Sequence, residues 1–108
     1  MSQLGSLDPW FEGRTAIVTG GAGGMGRAIS QAFAAAGSRV VVSDVSEAGG
    51  AETVDLISQA GGEATFVRTD VSRGADVEAL VATAVGEYGG LDFAVNAAAI
   101  EFEVDYLA

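Results

Sequence analysis

The run Thr19-Gly20-Gly21-Ala22-Gly23-Gly24-Met25-Gly26 is where residue types and spacing first point to chemistry. A β-branched stretch, Thr15 to Thr19, precedes it, and apolar residues at helical spacing follow it. A glycine-rich turn between a strand and a helix is the setting that a dinucleotide-binding loop requires. Gly20 permits a tight turn, the missing Cβ atoms let backbone approach a pyrophosphate, and Gly26 lets the helix pack close to the strand. The helix N-terminus adds free N–H groups and a partial positive charge. The plain alternative is a flexible glycine turn with no ligand.

Asp44 stands 18 residues after Gly26 and closes a second apolar run. A carboxylate there can accept both ribose hydroxyls of an adenosine and would repel a 2′-phosphate. No Arg or Lys adjoins Asp44 in sequence; Val45 follows it, and the loop itself is uncharged at Gly23. That pattern favours NAD over NADP. Taken alone, Asp44 is an ordinary strand-end residue.

The elements that would position these groups can be read in order. Residues 1–13 carry Gly5 and Pro9, have no sustained period and form a lead-in segment. Thr15 to Thr19 is a short buried strand. Met25, Ile29, Ala32, Phe33 and Ala36 mark a helix, which Gly37 ends. Val40-Val41-Val42 reads as a strand buried on both faces. Ser46 is a plausible N-cap for a second helix to about Ala60, weakened by Gly49 and Gly50 but with Ala51, Val54, Ile57 and Ala60 on one face. Ala64 to Val67 is a third strand. Ser72 can cap a third helix carrying Val77, Leu80, Val81, Ala84, Val85 and Tyr88. Leu91 to Val95 is a fourth strand and Asn96 to Ala99 a turn. The order β-α-β-α-β-α-β predicts an α/β fold, a doubly wound parallel sheet with helices on both faces.

Composition excludes other chemistries. The 108 residues include 5 Lys+Arg, all arginine, against 15 Asp+Glu, with no His and no Cys. A Cys nucleophile, a His base, a Schiff-base lysine and a zinc site of Cys or His ligands are therefore impossible within this chain. The net charge of -10 disfavours nucleic acid and anionic membrane as partners. No apolar run reaches the roughly 18 residues of a membrane span, and Met1 to Trp10 lacks the features of a signal peptide. A cytoplasmic location is the default expectation. Glu101, Glu103 and Asp105 could suggest a hard-cation site, but they read better as a solvated loop. Trp10-Phe11 reads as a lid on the bottom of the core.

The spacing Thr-Gly-x-x-x-Gly-x-Gly at Thr19 to Gly26 resembles the cofactor loop of the short-chain dehydrogenases/reductases. Asp70-Val71, after the third strand, resembles that family's adenine-contacting pair. Leu91 to Ala99 resembles its fourth strand and the Asn-Asn-Ala-Gly turn that follows. The resemblance runs from about Phe11 to Ile100. Asn96 and Ala98 match the turn, whereas Ala97 stands in place of a second Asn and Ala99 in place of Gly. The resemblance implies a Rossmann-type domain, NAD as cofactor, and a role for Asn96 in steadying the central sheet. The cofactor-binding candidates are Gly20, Ala22, Gly23, Gly24, Met25, Gly26, Asp44, Val45, Asp70, Val71, Asn96, Ala97 and Ala98.

In that family a Tyr, a Lys four positions later and a Ser carry proton transfer, all beyond the fourth strand. Tyr88 and Tyr106 are not followed by Lys, and the last serine is Ser72. No catalytic or metal-ligating residue is assigned. The leading expectation is a partial NAD-binding domain over residues 14–108, truncated after the fourth strand. Its parent would move hydride between NAD and an alcohol or ketone and form homo-oligomers; the chain alone would not turn over. A free-standing, non-catalytic nucleotide-binding module is the second reading. A doubly wound domain for another ligand, such as S-adenosylmethionine, is the third.

Overall fold

The computed structural model describes residues 8–97. Seven elements follow one another: β1 (Thr15–Thr19), α1 (Gly24–Ala35), β2 (Arg39–Asp44), α2 (Glu47–Gln59), β3 (Glu63–Arg68), α3 (Gly74–Tyr88) and β4 (Phe93–Asn96). All strand pairs are parallel, and the sheet order is β3-β2-β1-β4. The chain winds outward from β1 through β2 to β3, then returns to the other side of β1. This reversal creates a topological switch point between β1 and β4, and in such sheets ligands bind outside the carboxyl ends of the strands there.

Alternation along the strands divides the core in two. Val18, Val40 and Val42 are fully buried on the face covered by α1 and α2, with Ala34, Ile57 and Ala97. Ile17 and Val41 face the other way, against Leu80 and Ala84 of α3. The run Val40-Val41-Val42 is apolar without interruption because it is the sheet interior on both sides.

The helix faces match the periodicity in part: Ile29, Phe33, Val54, Ile57, Leu80 and Ala84 pack in the core, while small and polar residues take the most buried places. In α1 the fully buried residues are Gly26, Ser30 and Ala34, while Met25 is 49% exposed. In α2 they are Gly50, Thr53 and Ile57, whereas Ala51 and Ala60 are exposed. Small residues bring both helices close to the sheet and to each other. Gly50 illustrates this: a Cβ there would lie 2.0 Å from the Phe66 ring. The glycines that weaken α2 by propensity are thus contact positions.

Caps also divide. Ser46 caps α2 as expected, its hydroxyl accepting the Gly49 N–H at 3.2 Å. Ser72 does not cap α3; its N–H and hydroxyl both donate to Asp70 Oδ1, and Arg73 occupies the cap position. The fourth strand starts at Phe93, not Leu91, and Asn96 is its last residue, not a turn residue.

Residues 8–13 are held: Asp8 N–H donates to Ala36 O, Gly13 N–H to Gly37 O, and Ser38 Oγ to Phe11 O. Phe11 completes an aromatic group with Phe33 and Phe93, with centroids 5.8 and 5.3 Å away. Phe11 therefore does lid the core, but Trp10 is 76% exposed and does not. Ala98, Ala99, Tyr106 and the acidic positions 101, 103 and 105 lie outside the described residues. Within them, no helix is long and apolar enough to cross a membrane.

Candidate functional site

The glycine loop joins β1 to α1 at the carboxyl end of the sheet. Gly20 has φ 72°, a conformation that favours glycine. Gly26 is required by contact: a Cβ there would lie 1.8 Å from the Gly20 carbonyl oxygen. The close approach is with the loop's own backbone rather than with the strand. At Gly23 a Cβ would meet nothing within 4 Å, so that position is open. Helix α1 has Gly23 as its N-cap, no side-chain cap and no acid in its first turn. Its first N–H groups therefore lack an acidic or side-chain cap.

Asp44 closes β2 and touches this loop. Its Oδ2 accepts the Ala22 N–H at 3.1 Å, and its Oδ1 accepts the Ser46 N–H at 3.0 Å. Loop and acid are thus one unit. A carboxylate offers about four acceptor sites, so these two bonds leave capacity for hydroxyl donors. No cation adjoins Asp44 in sequence, but Arg68 faces it in register across the β2–β3 pair. Among the described residues no ion pair joins them.

On the other side of β1, the Thr19 hydroxyl donates to Asn96 Oδ1 at 2.9 Å, tying the carboxyl ends of β1 and β4. Beside them is an open hollow of about 300 Å³, lined by Thr19, Val71, Val77, Leu80, Val95 and Asn96 among others. The hollow brings Val71 and Asn96 together at the switch point. Met25, Val45 and Val71 expose 49%, 54% and 47% of their surface near the strand ends. Ala97, by contrast, is fully buried in the core under α1 and α2.

Asp70 follows β3. Hydrogen bonds from the Ser72 hydroxyl, at 2.6 Å, and from the Ser72 N–H hold its carboxyl below the ordinary value of 3.8, with help from Arg73 and Arg68. Its own N–H donates to Asp76 Oδ2 at 3.0 Å. Asp76 sits in the first turn of α3 and satisfies both that amide and the helix dipole.

Three residues of structural consequence were given no role in the sequence. Arg27 reaches from α1 to the loop and α2, and Thr53 of α2 reaches back to Gly21. Asp92 Oδ2 accepts the Thr15 N–H at 2.9 Å and pins the amino end of β1. In sequence Arg27 and Thr53 read as ordinary helix residues and Asp92 as part of the fourth strand; the bonds span 5 to 77 positions.

A parallel sheet in this order, with a glycine loop and an acid at its carboxyl end, defines a doubly wound nucleotide-binding class of domain. The family model described as short chain dehydrogenase matches residues 14–107, and the chain belongs to that family. An uncharacterized oxidoreductase of Mycobacterium tuberculosis is 56% identical over 90 residues, 83% of this chain and 36% of that protein. A 2,5-dichloro-2,5-cyclohexadiene-1,4-diol dehydrogenase of Sphingobium indicum is 43% identical, covering 83% of this chain and 35% of its own length. Among solved structures, a short chain dehydrogenase/reductase of Burkholderia phymatum in complex with NAD superposes with TM-score 0.76 at 42% identity. It covers 78% of this chain and 30% of that one. The chain spans about 35% of the length of the first curated relatives.

Proposed function

We propose that this chain binds a nicotinamide adenine dinucleotide, NAD in preference to NADP, at the carboxyl end of its sheet. The bond between the Ala22 N–H and Asp44 carries the reading, because it makes the glycine loop and the ribose-accepting acid a single site. The residues present fit the cofactor. The open Gly23 and the α1 N-terminus would take the pyrophosphate, with Gly20, Ala22, Gly24, Met25 and Gly26 shaping the loop. Asp44 would take the adenosine ribose beside Val45. Asp70, Val71 and Asn96 would border the adenine side, with Ala97 buried behind them. The NAD held by the Burkholderia relative supports the same choice.

The nicotinamide ring supplies hydride-accepting chemistry when bound. The whole protein would use it to interconvert an alcohol and a ketone, and residues 14–108 would be its partial cofactor domain. The chain's own part is to bind and orient: Asp44 disfavours a 2′-phosphate by charge, and the Thr19–Asn96 bond ties the carboxyl ends of β1 and β4 together. Calorimetric titration of the purified chain tests this. NAD should bind more tightly than NADP, and no alcohol should yield NADH with the chain alone. NADP preference would overturn the assignment to Asp44, and turnover would overturn the partial-domain reading.

A further inference from the structure

Two side chains outside the glycine motif hold its carbonyls. Arg27 Nε–H donates to Thr53 Oγ1 at 2.9 Å. A guanidinium has no acceptor, so Thr53 accepts here and its single proton must go onward. It goes to the Gly21 carbonyl at 2.7 Å; the Gly49 carbonyl of its own helix is farther, at 3.2 Å. The same guanidinium donates through Nη2 to the Ala22 carbonyl at 2.7 Å and to the Gly49 carbonyl at 3.2 Å. Glu52 pairs with it at 2.7 Å. Thr53 is fully buried, and the Arg27 side chain is only 24% exposed.

The consequence follows from peptide planarity. In a trans peptide the C=O and the next N–H point in opposite directions. Fixing the Gly21 carbonyl on Thr53 therefore sends the Ala22 N–H away from α2, and it is found on Asp44. Fixing the Ala22 carbonyl on Arg27 likewise turns the Gly23 N–H away from the guanidinium. Gly23 is the open position of the loop.

We infer that Arg27 and Thr53 are positioning residues that lock the Gly21 and Ala22 peptides so that the Gly23 N–H faces the pyrophosphate of a bound dinucleotide. Arg27 acts here by geometry: its Nε and Nη2 donors are directed at Thr53, the Ala22 carbonyl and Glu52. The inference rests on the dinucleotide reading above.

The test compares ADP, which has a pyrophosphate, with adenosine, which has none, by amide-shift titration of the full 108-residue chain. The variants are Thr53→Val, Thr53→Ser and Arg27→Lys. Thr53→Val keeps the shape but removes the hydroxyl. Arg27→Lys keeps the charge, and with it the long-range attraction, but loses the planar fork. Thr53→Val and Arg27→Lys should each lower the ADP affinity about tenfold, the scale of one buried hydrogen bond, and leave adenosine unchanged. Thr53→Ser should restore ADP binding. Should Thr53→Val fail to fold, Arg27→Lys decides alone. An unchanged ADP-to-adenosine ratio in folded Arg27→Lys overturns the positioning role, whatever the melting temperature does. Wild-type chain that binds ADP no better than adenosine overturns the dinucleotide reading itself, and the inference with it.

Discussion

Asp44 holds two backbone amides, one from the loop before α1 and one from the turn before α2. Asp44→Ala removes both acceptors and should cost about 1–3 kcal/mol of stability, as hydrogen bonds to a charged group do. It should also cut the NAD-to-NADP affinity ratio about tenfold or more, since the repelling charge is gone while Arg68 stays opposite. Denaturant melts and paired titrations check the two effects. Asp70 gives a pH signature. Its carboxyl is held low in the fold by Ser72, so its contribution is present above the unfolded value of 3.8 and is lost as pH falls through the lower folded value. Stability followed from pH 5 downward should therefore fall less steeply in Asp70→Asn than in the wild type. The acid was legible in sequence because it closes an apolar run at the right distance from the loop. Arg27 and Thr53 were not, because nothing local distinguishes a helix arginine that faces water from one that grips a loop carbonyl.

The elements were legible in kind and order, and the α3 face with Leu80 and Ala84 as well; the errors concern the closest contacts of α1 and α2. Periodicity follows apolar residues, so it grouped Ala51 and Ala60 with Val54 and Ile57 on one face of α2, though both alanines are exposed. The fold instead buries Gly26, Ser30, Gly50 and Thr53, where close approach matters more than hydrophobicity. Two glycines of one loop should then behave in opposite ways. Gly26→Ala drives a methyl into the Gly20 carbonyl and should destabilise by more than about 4 kcal/mol, well outside the usual range for single substitutions. Gly23→Ala has free space and an extended backbone, φ −175°, that alanine adopts readily, so its melting temperature should stay near wild type. Its added methyl should nevertheless weaken ADP binding, because it occupies the open side of the loop. Calorimetric melting and ligand titration of the two variants separate these outcomes. The Ser72 cap was misread because Asp70, two residues earlier, competes for the same hydroxyl and wins with a 2.6 Å bond.

Among the described residues, the outer side of α3 exposes an apolar row. Val77, Val81 and Val85 lie one turn apart along α3 and are 37%, 38% and 50% exposed, with Val71 beside them at 47%. Val71 and Val77 border the hollow at the switch point, where β4 is the edge of the described sheet. The purified chain should self-associate through this side. Raising the ionic strength should strengthen association by screening the net charge of -10. Val81→Glu should reduce it without loss of folding, as sedimentation velocity would show. The parallel sheet with helices on both faces was readable from alternating strands and helices, whereas the strand order that creates the switch point belongs to the fold. The charge distribution around the site was not: sequence neighbours placed no cation beside Asp44, while strand register sets Arg68 opposite it.

Amide NMR of the chain titrated with NAD tests most directly whether loop and acid form one dinucleotide site. The largest shifts should fall together on Gly20 to Gly26, Val45 and Val71, and Asp44→Ala should diminish the loop shifts along with its own. Shifts confined elsewhere, or a loop response indifferent to Asp44, would contradict the assignment.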